Sequence, residues 1–189
     1  MENFYVPILK WKQGEYLSLS RLDDKVKDHV LPLIEIPKIG YDFENLKDSK
    51  TIDEHLENFP KRYKAHWGKR AAFIDTNIVD GEVLKNGQLP IEFLFESLGE
   101  ENHNLIPVTG INRSEQQIEL VRNIFRKRKD QGICVRLALD EIFDDGLTPL
   151  LSRIGATPSD AHLILDLAAS NFNDIQNFSK MIVTVLTGF

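Results

Sequence analysis

Val6-Pro7-Ile8-Leu9-Lys10, Leu31-Pro32-Leu33-Ile34-Glu35 and Ile106-Pro107-Val108-Thr109-Gly110 share one outline: an apolar residue, a proline, two further residues, then a change of character. Ala72-Phe73-Ile74-Asp75, Cys134-Val135-Arg136 and Leu163-Ile164-Leu165-Asp166 repeat it without the proline. Short apolar runs separated by helix-sized segments read as β/α units, and an ionisable group near the end of each run directs the charges into one mouth. The expected fold is a TIM-like (β/α) barrel.

Working outward from these runs, strands are expected over residues 5–12, 30–36, 71–75, 105–109, 133–139 and 161–167. A seventh is expected over Ile182-Val183-Thr184-Val185-Leu186-Thr187-Gly188-Phe189. The spacing from Lys10 to Asp166 averages about 31 residues per unit, so eight units need about 250 residues. The 189 residues therefore read as one barrel domain, 1–189, with seven units visible and truncation before the eighth. An open seven-strand sheet leaves an unpaired edge. The expectation is a fragment, or a barrel that an oligomer or a partner closes.

Between the strands, Leu17, Leu19, Leu22 and Val26 supply one apolar helical face, and residues 41–70 form a long polar crossover. That crossover carries a helix with Ile52, Leu56 and Phe59, interrupted at Pro60 and followed by Tyr63 and Trp67. Asp80-Gly81 and Asn86-Gly87 are turn signals that bracket a small hairpin. Pro90 suits the first position of a helix with Phe93, Leu94 and Leu98. Ser114-Glu115-Gln116-Gln117 reads as a capping box ahead of Ile118, Val121, Ile124 and Phe125. Leu147, Leu150, Leu151 and Ile154 mark another helix, and a last one covers about 172–181.

Side chains two apart on a strand share a face, so Lys10, Glu35, Asp75, Arg136 and Asp166 collect on one inward face, with Lys12 beside Lys10. Thr109 is the candidate on strand four, although the offset from its proline matches Gly110 to Lys10. Asn112-Arg113, at a helix start, reads as an anion site or as a surface arginine. A charge inside a parallel sheet is costly unless paired or hydrated. The ring is therefore either a compensated ion-pair layer or a site at the strands' C-terminal ends. As a site, Glu35, Asp75 and Asp166 are catalytic carboxylates or ligands for Mg²⁺ or Mn²⁺, while Lys10, Lys12, Thr109, Arg113 and Arg136 bind the ligand. Those groups suit metal-assisted hydrolysis of a phosphoester, or acid–base work by Glu35 and Asp75 on a sugar-like substrate.

The composition sets outer limits. Hydrophobic residues make up 42% and charged residues 28%, as in ordinary globular chains. A net charge of −6 argues against a nonspecific nucleic-acid coat; the run Arg126-Lys127-Arg128-Lys129 suits a helix C-terminus. Cys134, the single cysteine, lies in an apolar run and reads as a buried thiol. With no internal disulfide possible, no signal peptide and no membrane-spanning run, the expected location is cytoplasmic. There is no GxGxxG, P-loop or CxxC motif. His29, His55, His66, His103 and His162 lack ligand-like spacing, and Trp11 and Tyr16 either wall a pocket or pack on the first helix.

Phe4-Tyr5-Val6-Pro7-Ile8-Leu9-Lys10-Trp11-Lys12-Gln13-Gly14-Glu15-Tyr16, followed by Pro32-Leu33-Ile34-Glu35-Ile36-Pro37, resembles the opening of the bacterial and phage "beta protein" family. Ile74-Asp75 and Leu165-Asp166 are similar to later segments of it. The resemblance spans the whole chain and implies a setting in prophages, mobile elements and antiviral defence, with no established reaction. The annealing function of a similarly named phage protein is not implied, since the stacked aromatics and basic groove it needs are missing. The resulting expectation is a phage- or defence-associated barrel that hydrolyses a phosphorylated or nucleotide-like ligand with metal assistance. The alternative is a non-catalytic sensor or adaptor that binds a phage protein or a partner subunit.

Overall fold

Proline placement sets the first two strand starts. Pro7 and Pro32 stand just ahead of β1 (Ile8–Lys10) and β2 (Leu33–Glu35), and only their carbonyls are used, accepting from Leu33 N–H and Phe73 N–H at 2.9 Å. Their missing donors therefore leave no ladder bond unmade. The computed structural model describes residues 4–98, 104–143, 145–167, 179 and 183. In these, a two-residue pair, β3 (Tyr41–Asp42) and β4 (Lys47–Asp48), follows β2, and β5 (Ala72–Asp75), β6 (Leu105–Thr109), β7 (Ile133–Ala138) and β8 (Ala161–Asp166) complete the strands.

The main sheet has the order β1-β2-β5-β6-β7-β8, every pair parallel. It is a six-stranded half-barrel with helices on its outer face. The expected α/β class holds, and six parallel strands of the expected seven units stand in the described sheet, with β1 and β8 at its edges. Val183, the one described residue within the expected seventh strand, is helical, as is Ser179 within the expected helix 172–181; the rest of both segments lies outside the described residues. No helix among the described residues is long and apolar enough to cross a membrane.

The helices are α1 (Gln13–Ser20), α2 (Asp24–Lys27), α3 (Ile52–Leu56), α4 (Phe59–His66), α5 (Pro90–Ser97), α6 (Glu115–Lys127) and α7 (Leu147–Ile154). Their apolar stripes make the outer core. Ile118, Val121 and Phe125 of α6 and Leu147, Leu150, Leu151 and Ile154 of α7 bury against Ile74, Leu105, Ile133 and Val135 of the sheet. Pro60 begins α4 rather than interrupting a helix, because a proline in the first turn loses no helical bond. Trp11 packs on Tyr16, Phe59 and Tyr63, with ring centroids 5.1–6.0 Å apart. The hairpin expected at Asp80–Gly87 is absent. A 3-10 turn, Asn77–Val79, leads into that segment, which is turns and irregular backbone, and Val79 and Leu84 bury in the core.

Candidate functional site

A period of two divides each strand between the helix-covered face and the interior of the half-barrel. Leu33, Phe73, Ile106, Val108 and Cys134 face inward and form a small apolar cluster of their own, with Leu31 and Ile164 packed against it. The next inward residues toward the C-terminal ends are Glu35, Asp75, Gly110, Arg136 and Asp166. A charged layer therefore sits directly on an apolar floor. Register aligns Lys10, Glu35 and Asp75 on one rung.

Arg136 gathers the layer. Its Nη1 donates to Glu35 Oε1 at 2.6 Å and to Asp75 Oδ2 at 2.9 Å, while Nε and Nη2 donate to Asp166 Oδ2 at 3.0 and 2.5 Å. Three carboxylates from β2, β5 and β8 thus close on one guanidinium from β7. Burial works against the charge on Arg136, but the bonds from Glu35, Asp75 and Asp166 outweigh it, and its pKa rises above the usual arginine value. Asp75 is the innermost of the three, its side chain 1% exposed, against 12% for Glu35 and 30% for Asp166. It also accepts from the backbone N–H of Asn77 at 3.0 Å and pairs with Arg113 at 3.2 Å.

The other expected site residues separate. Arg113 belongs to the layer as a buried ion-pair partner, not a surface arginine. Lys10 and Lys12 are exposed and do not line the cleft described below. Thr109 is corrected. It is fully buried on the helix-covered face, where its hydroxyl donates to Gln117 Oε1 at 3.2 Å, and Gly110 takes the inward position. Gln117 also donates to the Val108 carbonyl at 3.3 Å, so the Ser114 cap is one-sided. Ser114 Oγ accepts from Gln117 N–H, and Asp80, not Gln117, accepts from Ser114 N–H. Thr109→Val should leave the Gln117 amide short of a buried partner and lower stability by about 1–3 kcal/mol without changing binding in the cleft. Urea unfolding and ligand titration of that variant check both parts.

A cleft of about 220 Å³ opens over the layer, lined by Glu35, Arg136 and Asp166 and by loop residues after β5 (Asn77), β6 (Asn112, Arg113) and β7 (Glu141). Asn112 Nδ2 donates to Glu141 Oε1 at 2.5 Å, and Glu141 Oε2 accepts from Ala138 N–H at 2.7 Å, which ties two of these loops together. Sequence reading misses Glu141, because no pattern links it to a residue 29 positions earlier. His55 bonds the Pro37 carbonyl at 2.7 Å, and His162 packs edge-on against Phe73. Cys134 is buried, and burial pushes its thiol well above the usual value.

The layer does not fit the Mg²⁺ or Mn²⁺ expected from its carboxylates. Among the described residues, no group of three or more His, Cys, Asp or Glu side chains is arranged to hold a metal ion. The point where the carboxylates converge is taken by a guanidinium, whose charge repels a cation. Glu35, Asp75 and Asp166 are thus corrected from metal ligands to partners of Arg136.

A family model described as Beta protein matches residues 5–185, nearly the whole chain. No curated protein matches the chain, and no solved structure matches it.

Proposed function

The chain belongs to the Beta protein family, and from that premise we propose that its cleft binds and hydrolyses a small phosphorylated or nucleotide-like ligand, held by its sugar hydroxyls. The convergence of Glu35, Asp75 and Asp166 on Arg136 beneath an open cleft carries this reading. A buried ion-pair layer alone needs no open face. Glu35 and Asp166, the two partly exposed carboxylates, accept hydroxyl protons of the ligand or the proton of an attacking water. Asp75 is too deeply buried to reach a ligand and acts as a positioning residue for Arg136. Asn77 and Asn112 add side-chain amides at the rim. The cleft is small beside ordinary ligand pockets, which suits one sugar-sized group. A phage–host conflict is the setting that the family resemblance implies.

Thermal unfolding with ribose, ribose 5-phosphate and adenosine monophosphate tests the reading. A ligand at a hundredfold its Kd adds about 2.7 kcal/mol, which raises the midpoint by about 5–10 °C for a chain of this length. Glu35→Gln and Asp166→Asn should keep the fold and lose the rise. A wild-type midpoint that none of the three moves would sink the proposal.

One observation favours a second reading, an adaptor whose sheet a partner completes. Phe4, Tyr5, Val6, Ile8 and Val26 are exposed along the β1 edge, and a groove of about 270 Å³ beside it is lined by Pro7, Leu9, Leu19, Leu22 and Val30. Exposed apolar surface contiguous with an edge strand of the described sheet is typical of an interface. Sedimentation of the purified chain separates the readings: a monomer that responds to ligand supports the first, and a stable oligomer without ligand response the second.

A further inference from the structure

We infer that Arg113 is the ligand-binding donor of the cleft, taking a single anionic oxygen, phosphoryl or carboxylate, carried on a hydroxylated compound. This rests on the reading of the cleft as a ligand site and adds its charge specificity.

The starting point is an unmade bond. The Arg113 side chain is 6% exposed, and its Nη1, buried, has no hydrogen-bond partner among the described residues. A buried guanidinium N–H without an acceptor is costly, an imbalance that native interiors seldom keep without a reason. Asp75 does not supply that reason. Its Oδ2 already holds Arg136 at 2.9 Å and its Oδ1 the Asn77 N–H at 3.0 Å, whereas its contacts with Arg113 Nη2 are the longest it makes, at 3.2 and 3.3 Å. Asp75 would be satisfied without Arg113.

The backbone makes room for this arginine. A Cβ at Gly110 would lie 2.8 Å from the Arg136 carbonyl oxygen and 3.3 Å from Arg113 Nε. A side chain there would displace the guanidinium from the end of β6. Glycine lets it lie against the strand, with Nη2 toward Asp75 and Nη1 still to be paired. Nη2 carries the Asp75 contact and Arg113 lines the cleft, so Nη1 is the donor left for an anion that enters it. An arginine offers a planar fork of donors and a lysine does not. The carboxylates Glu35 and Asp166 then meet the hydroxyls of the same ligand, so the ligand class is a sugar-sized polyol with one anionic group.

Calorimetric titration of the full chain with ribose, ribose 5-phosphate and glucuronate tests the inference, using wild type, Arg113→Lys and Arg113→Gln. Arg113→Lys keeps a cation near Asp75, so its unfolding midpoint serves as the check on folding. The expected result is that ribose 5-phosphate, glucuronate or both bind wild type at least tenfold more tightly than ribose. Both variants should lose that preference. Which charged probe binds identifies phosphoryl or carboxylate as the source of the oxygen. If ribose binds wild type but neither charged probe binds better, the inference falls and the cleft reading stands. It falls in the same way if the preference survives in Arg113→Lys and Arg113→Gln. If none of the probes binds wild type, both fall.

Discussion

Arg136→Met should lower the unfolding free energy by about 3–5 kcal/mol, the usual cost of removing one partner from a buried ion-pair network. The substitution keeps most of the side chain's length and apolar stem, so the loss comes from charge rather than from a cavity. It leaves Glu35, Asp75 and Asp166 facing one another over the apolar floor of Leu33, Phe73, Val108 and Cys134, with Arg113 still bonded to Asp75. Because a domain of this kind is stable by only about 5–15 kcal/mol, the variant should unfold at a visibly lower urea concentration. The slope of the transition should stay unchanged. A second substitution identifies the cause. Asp75→Asn alone should also destabilise, by leaving Arg136 and Arg113 short of a charge. Combined with Arg136→Met it should cost much less than the two losses added, since each removes what the other leaves unpaired. Additive losses would mean that the network is not a unit, and the role of Asp75 in holding Arg136 would have to be abandoned.

That network also shows where sequence reading reaches and where it stops. Period two along each strand predicts that Glu35, Asp75, Arg136 and Asp166 share a face, and they do, because a parallel sheet covered by helices fixes which face is inner. It does not predict which carboxylate each cation takes. Arg136 reaches Glu35 across 101 positions and four strands of the sheet, a contact that depends on curvature rather than local pattern. The misplacement of Thr109 has a simple physical origin. The proline outline puts the inward position at Gly110, but a residue without a side chain offers no chemistry to notice, and its neighbour with a hydroxyl draws the choice. Turn chemistry misleads in a similar way. Gly81 and Gly87 do adopt positive φ, as their Asp-Gly and Asn-Gly contexts suggest, yet no ladder forms between them. The hairpin that does form, Tyr41–Asp48, turns instead on Asp42, whose Oδ1 accepts from Glu44 and Asn45 N–H. Such an Asx turn carries no glycine to announce it.

Gly132→Ala should be the most damaging glycine-to-alanine change among the described residues, at roughly 2–5 kcal/mol from backbone strain and overpacking together. Gly132 joins the turn after α6 to β7 with φ +71° and ψ −165°, a region that residues with a Cβ scarcely enter. An added Cβ would lie 2.6 Å from the carbonyl oxygen of Asp160, which belongs to the 3-10 turn that starts β8. That oxygen is backbone, so no side-chain rotation relieves the contact, and the start of β8 must move away from β7. The pairing Ile133↔Ala161 is the first rung of the β7–β8 ladder, and Ala138↔Asp166 is its last. Displacement at the first rung therefore weakens the ladder that presents Asp166 to Arg136. Amide exchange should show this as faster exchange along β8 than along β5, which sits two strands from the clash and is anchored by β2 and β6. Gly155 provides the comparison. It also has positive φ, +82°, but nothing lies within 4 Å of its would-be Cβ. Ala there should cost about 1 kcal/mol and leave β8 exchange unchanged. If the two alanines cost the same, the close approach of Asp160 contributes nothing, and the β7–β8 junction is looser than its geometry implies.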